Sequence, residues 1–364
     1  MTSLTRNIVV AVIIVIATLS FIGVRFFTNA GQLTTLTAAM EVSPQCIVLA
    51  SPPGPEDLVI DHERAMAFVS ATDRRAITAG AENVRGGIYV IDLKGDPSIW
   101  ALRPVTAHVP AAFQPHGLGL YVDEAGVRTL AVVNHTGVVD SVELFDVAED
   151  GILSHRATVK DPGMFALNDV QPVGHSSFYA TNDHGSASAF WNAVSDVLIL
   201  AQANLVYFDG TSVREVAGDL SYANGVNVSP DGKTVYVAET SGMALNIYDR
   251  NIETGDLTAV DFVSLGSGLD NVDVAPDGTL LIGAHPKLVD FINHAADAKQ
   301  ISPSQVVRLI PREGGGGVAD TVYLNLGDQL SGSSVAASYG DKMLVSGVFD
   351  PKILVCEMPP PRTE

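Results

Sequence analysis

Short apolar runs with a polar residue at their mouth recur along this chain. Phe165 to Val170 reads Phe-Ala-Leu-Asn-Asp-Val, and a polar residue ahead of an apolar strand returns at Glu56-Asp57-Leu58, His116-Gly117-Leu118, Asn224-Gly225-Val226, Asp270-Asn271-Val272 and Ser333-Ser334-Val335. Alternation at period two predicts half-buried strands. Two segments are near-copies: Ser229 to Glu239 and Ala275 to His285, 46 residues apart, each reads as a strand, a Pro-Asp-Gly turn and a second strand. Looser copies start near Asp61, Val122, Val173 and Tyr339, and the six entrances lie 46 to 63 residues apart. Further strands are predicted at Gly87–Asp92, Val142–Asp146, Leu205–Phe208, Leu245–Asp249 and Val306–Ile310. Six such units predict an all-β, six-bladed β-propeller. Ser188–Leu200 and Lys287–Lys299 break the pattern and read as short helical lids on one face.

The N-terminus follows another rule. Ile8 to Val24 is a run of 17 residues without charge, bracketed by Arg6 and Arg25. As a helix it spans about 25 Å at ~1.5 Å per residue, close to the ~30 Å hydrocarbon core. This predicts an N-terminal hydrophobic helix that acts as a signal or membrane anchor over residues 1–30, with residues 31–364 as the propeller domain outside the cytoplasm. Thr28-Asn29-Ala30 is a poor small-x-small site, which favours an uncleaved anchor over a removed signal peptide.

Composition and charge narrow the partners. The hydrophobic fraction of 47% supports a large core, and 33 Gly with 19 Pro suit a turn-rich β protein. A formal net charge of −20 and no Lys/Arg-rich run argue against nucleic acid. Cys46 and Cys356 are the two cysteines, and in an exported chain an even count favours a disulfide over two buried thiols. A bridge across that separation makes the first and last strands neighbours and closes a ring.

In a propeller the innermost strand of each blade begins at one mouth of the central channel, so Glu56, His116, Asn168, Asn224, Asp270 and Ser333 are expected to converge there. With Asn271, offset by one, the oxygen donors Glu56, Asn168, Asn224, Asp270 and Asn271 suit a hard cation such as Ca²⁺. No cysteine is available at that mouth, which disfavours zinc. Adjacent side chains of a strand face opposite ways. Asp57 and Asp169 are therefore expected to hold a second cation deeper in the channel, aided by the Leu118 carbonyl. Returning strands bring His135, His184 and His285 to the same mouth, and His116 and His135 share a blade. Such a pair beside a cation suits general-base catalysis, with His116 taking the proton and His135 assisting it, and with His184 and His285 as wall or supporting residues. His62, His108, His155, His175 and His294 carry no such signal.

From Cys46 to Cys356 these residues resemble the paraoxonase/arylesterase family of calcium-dependent lactonases. The likeness is carried by Gly54-Pro-Glu56-Asp57-Leu, Pro115-His116-Gly-Leu, Val133-Asn-His135, Val142-Glu-Leu-Phe, Leu167-Asn168-Asp169, Tyr179-Ala-Thr-Asn-Asp-His184, the Ala223-Asn224-Gly225 run and Asp270-Asn271. The resemblance implies a six-bladed propeller with two calcium ions. Glu56, Asn168, Asn224, Asp270 and Asn271 would hold the catalytic ion, and Asp57, Asp169 and the Leu118 carbonyl the structural one. It likewise implies a His116/His135 dyad, a Cys46–Cys356 bridge, a hydrophobic N-terminus that often stays uncleaved, and hydrolysis of lactones and aryl esters, with organophosphate triesters a side activity of some members. Residues 186–203 and 286–302, which shape the substrate pocket, do not match the family's pattern.

Two other classes fit parts of the pattern. A gluconolactonase-like sugar-lactone hydrolase would carry one metal and an acidic base, and a non-enzymatic propeller would use calcium only structurally. A serine esterase is disfavoured, because no Gly-x-Ser-x-Gly stands between a strand and a helix.

Overall fold

Each unit of the repeat forms a four-stranded antiparallel sheet, and six such sheets are arranged as the blades of a propeller. The computed structural model describes residues 2–106, 109–136, 140–312 and 314–361, so His108 lies outside the described residues. The innermost strands are Pro55–Asp61, Pro115–Val122, Leu167–Pro172, Ala223–Val228, Gly268–Val274 and Ser333–Tyr339. Five blades take four consecutive strands. The sixth completes itself with the N-terminal strand Cys46–Ala50, which pairs with Lys352–Glu357.

Alternation decides what is buried. Apolar side chains of adjacent blades interleave, as where Phe68, Ile88 and Val90 of the first blade meet Leu118, Leu130 and Phe145 of the second. Full burial of a Leu or Phe side chain contributes about 1.5–3 kcal/mol, so each interface of this kind is a substantial core in itself.

All six inner strands depart from regular pairing at one level. The register shifts between Pro55 and Asp57, Pro115 and Leu118, Leu167 and Val170, Ala223 and Val226, Leu269 and Val272, and Ser333 and Val335. Such bulges release residues from the ladder and re-aim their side chains. Two glycines make the convergence possible. A Cβ on Gly117 would lie 2.5 Å from the Asp169 Cα, and one on Gly225 2.6 Å from the Asn271 Cα. The sixth entrance is displaced by one residue from the expected register. Ser333 stays in the ladder opposite Gly347, its hydroxyl donating to the carbonyls of Ala284 and Gln305, whereas Ser334 occupies the bulge and donates to the Glu56 carbonyl.

Four α-helices accompany the strands among the described residues. Helix α1 (Ser3–Asn29) buries none of its residues and is long and apolar enough to cross a membrane. Its C-terminal end and the residue after it are tied to the body: Arg25 donates to the carbonyls of Leu198 and Ile199, Asn29 to that of Ser241, and Leu288 N–H to that of Ala30. Helix α2 (Arg74–Thr78) follows the second strand of blade one, capped by Asp73, and was not apparent from the sequence pattern. Helices α3 (Ala189–Leu198) and α4 (Leu288–Ala296) fall within the two stretches expected to be helical.

Cys46 and Cys356 face each other in register and are bonded, at a separation of 310 residues. The bond clamps the ring where its two ends meet. The unreduced, denatured protein is therefore expected to show no free thiol, and two titratable thiols would overturn the bridge. Replacing both cysteines by serine should cost about 2–5 kcal/mol of stability, read by urea unfolding.

Candidate active site

The bulged entrances open into a cavity of about 310 Å³ at one end of the channel. Glu56, His116, Asn168, Asn224 and Asp270 line it together with His135 and His285, and α4 adds Leu288, Phe291 and Ile292. Phe26, Asn29 and Ala30, at the end of α1, complete the wall.

The side-chain amides are aimed by their NH₂ groups. Asn224 donates to Thr240 Oγ1 at 3.0 Å, Asn271 to Glu56 Oε1 at 2.7 Å, and Asn168 to Asp183 Oδ2 at 3.5 Å. This leaves Oδ1 of Asn168, Asn224 and Asn271, and Oε2 of Glu56, buried with no hydrogen-bond partner. Orphaned buried acceptors are costly, and four at one site is a strong departure from ordinary polar satisfaction. Asp270 is held differently, its Oδ2 lying 2.7 Å from His285 Nε2, while the His285 ring stacks on Phe291 at 3.9 Å. His285 thus connects lid α4 to the donor set. No three His, Cys, Asp or Glu side chains form a metal-type cluster among the described residues, so the convergent set is mixed amide and carboxylate. That chemistry fits a hard, oxygen-seeking cation.

One level deeper, Asp57 and Asp169 brace neighbouring blades. Asp57 accepts from Leu58 N and, across the interface, from Leu118 N at 2.7 Å; Asp169 accepts from Val170 N and from Val226 N at 2.8 Å. Within a strand a residue's N–H and C=O point the same way, so the Leu118 carbonyl faces the channel side with its amide. Both carboxyls are buried. Burial, then the charges of Asp169 and Glu56, raises Asp57 well above its usual range, and burial takes Asp169 to about 7. Glu56 is pushed up to about 8, chiefly by burial, against the opposing pull of Arg74. The channel therefore buries more negative charge than Arg74 can balance, which a divalent cation would offset.

The two histidines of blade two meet edge to face, with ring centroids 4.9 Å apart. His116 Nδ1 lies 3.1 Å from Arg74 Nη2, and its Nε2 lies 3.7 Å from Glu56 Oε1. A guanidinium can only donate, so Nδ1 accepts and the neutral ring carries its proton on Nε2. Burial, followed by the charges of Arg74 and His135, holds His116 well below the ordinary histidine value. His135 Nδ1 lies 2.9 Å from Asp140 Oδ1. His184 does not line the cavity. Its ring bridges Asp183 and Asp196, and although burial opposes its charge, these two hydrogen bonds push it up to about 9. It pins lid α3 to the strand end behind Asn168.

Arg74, Asp140, Asp196, Tyr222 and Thr240 take part in the site and were not singled out by the sequence. Arg74 leads α2, where it also donates to the Gly54 and Pro115 carbonyls. None of these residues stands in the repeated register, so the signal that marks the donors is absent for them.

The family model for Arylesterase matches residues 56–358. Serum paraoxonase/arylesterase 2 of Rattus norvegicus is 32% identical over 349 residues, covering 93% of this chain and 96% of its own. Serum paraoxonase/arylesterase 1 of Homo sapiens is 33% identical over 355 residues, covering 94% and 98%. Among solved structures, a luciferin-regenerating enzyme superposes with a TM-score of 0.53 at 12% identity, over 86% of this chain and 95% of its own, a likeness of fold. By the family match and by the extent of these alignments, the chain belongs to the paraoxonase/arylesterase family.

Proposed function

We propose that this protein is a calcium-dependent hydrolase that opens lactones and cleaves aryl esters. The observation that carries the reading is the set of orphaned oxygens on Glu56, Asn168 and Asn224, which line the cavity with Asp270 and two histidines, joined by the orphaned oxygen of Asn271, whose amide is tied to Glu56. Those five residues would hold one Ca²⁺, and Asp57, Asp169 and the Leu118 carbonyl a second, structural one. When bound, the catalytic ion supplies Lewis-acid polarisation of the ester carbonyl and stabilises the oxyanion that forms. The chain supplies the remainder. His116 and His135 face the cavity where water must lose a proton, and general-base assistance typically contributes about 10²–10⁴-fold. The apolar wall from α1 and α4 accepts the hydrocarbon part of a small ester and limits access of bulk water.

The apolar helix fits an anchor that is retained, with the propeller outside the cytoplasm. Ala30 and Gly31 are buried against the body, and Lys287 Nζ donates to the Gly31 carbonyl at 2.8 Å. Removal of the helix would take Phe26 and Asn29 out of the cavity wall.

Calcium should couple to stability with a defined pH dependence. Stripped of cation, the native state keeps protons on Glu56, Asp57 and Asp169 that the unfolded chain releases near the ordinary values of 4.5 and 3.8. The native state then binds more protons, so stability falls as pH rises from about 4 through about 7 to 8. Calcium requires the ionised carboxylates and should oppose that loss. Melting temperatures at pH 5 and pH 8, with chelator and with Ca²⁺, are expected to show the drop only under chelation. A chelated protein as stable at pH 8 as at pH 5, and indifferent to calcium, would sink both metal assignments.

Activity provides the second test. Hydrolysis of γ- and δ-lactones and of phenyl acetate should require Ca²⁺ and disappear on chelation. Asn168→Ala should lower kcat by more than about a hundredfold, since the loss of one donor in an oxyanion-stabilising site typically costs ~10²–10³. Asp169→Ala should mainly lower the melting temperature. Turnover of these esters that is unchanged by chelation would overturn the mechanism.

A further inference from the structure

The row of polar side chains along the channel does not end at the mouth described above. Residues two apart on a strand share a side and lie about 7 Å apart along it, so Gln171 continues the row of Asp169, and Asp273 that of Asn271, toward the far end of the inner strands. At that end a second cavity, of about 470 Å³, is lined by Gln171, Asn227 and Asp273, with Tyr121 in its wall. None of these residues belongs to either cation site assigned above.

Asp273 is 5% exposed, and its Oδ2 is buried with no hydrogen-bond partner. The amides of Ser338 and Val274 lie by the carboxyl, and no side chain of opposite charge does. Arg250, which also lines the cavity, is turned to the Tyr179 hydroxyl and the Gly232 carbonyl. A buried carboxylate in that state is unfavourable unless a cation meets it. The carboxamides beside it are tethered by nitrogen, as those of the first mouth are. Gln171 Nε2 donates to the carbonyls of Leu120 at 3.4 Å and Pro172 at 3.0 Å, and Asn227 Nδ2 to that of Val272 at 2.8 Å. Gln171 Oε1 accepts no hydrogen bond among the described residues, and Asn227 Oδ1 accepts one, from Val228 N, which leaves it a second lone pair. Room for the glutamine comes from Gly119, where a Cβ would lie 2.8 Å from Gln171 Oε1.

We propose that Asp273, with Gln171 and Asn227, forms a further cation site at the far mouth of the channel, for a hard divalent ion of the Ca²⁺ class held by one carboxylate, two carboxamide oxygens and water. The single ligand charge and the open cavity set its strength. Calcium affinity falls as charged ligands become fewer and the site looser, so binding is expected near ~10⁻⁴–10⁻³ M. The ion neutralises a carboxylate that no side chain pairs, and it joins blades three, four and five at the end remote from the bulges. The site needs neither a substrate nor the ions of the other mouth, and so stands apart from the hydrolase reading.

Equilibrium dialysis of the full chain in detergent against radioactive Ca²⁺ tests the site, with ionic strength set by tetramethylammonium chloride. At about 5 mM free Ca²⁺ the natural protein should hold one more ion per chain than Asp273→Asn, and at about 10 µM the same number. Melting temperatures provide the second readout. Between those two concentrations the natural protein should gain several degrees that Asp273→Asn does not. Under chelation the variant, relieved of a buried unpaired carboxylate, should melt no lower than the natural chain. A merely structural aspartate would give the opposite result, a variant weakened at every calcium level. Asp273→Ser repeats the comparison should the asparagine variant not fold. Equal uptake by natural and variant proteins at about 5 mM, or a melting rise that NaCl reproduces without Ca²⁺, would overturn the assignment. The count is a difference between two proteins, so failure of the sites at the other mouth shows separately, as a changed uptake common to both.

Discussion

Six β-bulges at a common level around one channel are the constraint on which the rest of the structure depends. A regular strand alternates its side chains, and would send only one of each adjacent pair toward the axis. By releasing Glu56, His116-Gly117, Asn168-Asp169, Asn224-Gly225, Asp270-Asn271 and Ser334 from the ladder, the bulges bring oxygen donors from most blades to one point. The same break frees backbone amides at Leu118 and Val226 to be taken by Asp57 and Asp169 across the blade interfaces. Ring closure, blade bracing and donor convergence are therefore one arrangement. It carries an electrostatic cost, since the carboxylates it buries repel one another and lose water. The raised values of Glu56, Asp57 and Asp169 express that cost.

Around this centre the supporting bonds follow a division of labour. Carboxamides suit the mouth because their nitrogens can be tied to Thr240, Glu56 and Asp183 while their oxygens stay free to face inward. A carboxylate in those places would add charge without gaining a tether. The lids are joined to the donors through histidines, His285 between Phe291 and Asp270 and His184 between Asp196 and Asp183. Movement of either lid would thus disturb a donor or its tether.

The fold was legible because each blade repeats a strand entrance, a turn and a returning strand, and because the inner three strands are apolar. The outermost strands were harder to see. Leu153–Val159 alternates one weakly covered face with solvent, and Leu257–Ser264 is largely exposed, so neither carries a strong apolar period. The donor residues were legible from register, and the displacement of Ser333 by one marks its limit. A bulge changes which residue leaves the ladder, and the hydrophobic pattern, already apolar at Val335, does not record the shift. Arg74 and Asp140 were invisible for a different reason. Both act through loops and a short helix whose placement depends on the closed ring.

His116 and His135 belong to one blade and meet across 4.9 Å, and at the level of residue type they are interchangeable. What separates them is the charge of the group behind each ring. Behind His116 stands a cation that can only donate, and its field adds to burial in holding the ring neutral. Behind His135 stands an anion that can only accept. A neutral imidazole has one donor and one acceptor nitrogen, so each partner settles which nitrogen the cavity meets. The two rings therefore present opposite faces to the same space, one with hydrogen and one with a lone pair. The paired placement of Arg74 and Asp140 thus makes two rings of one residue type chemically unlike at the same cavity.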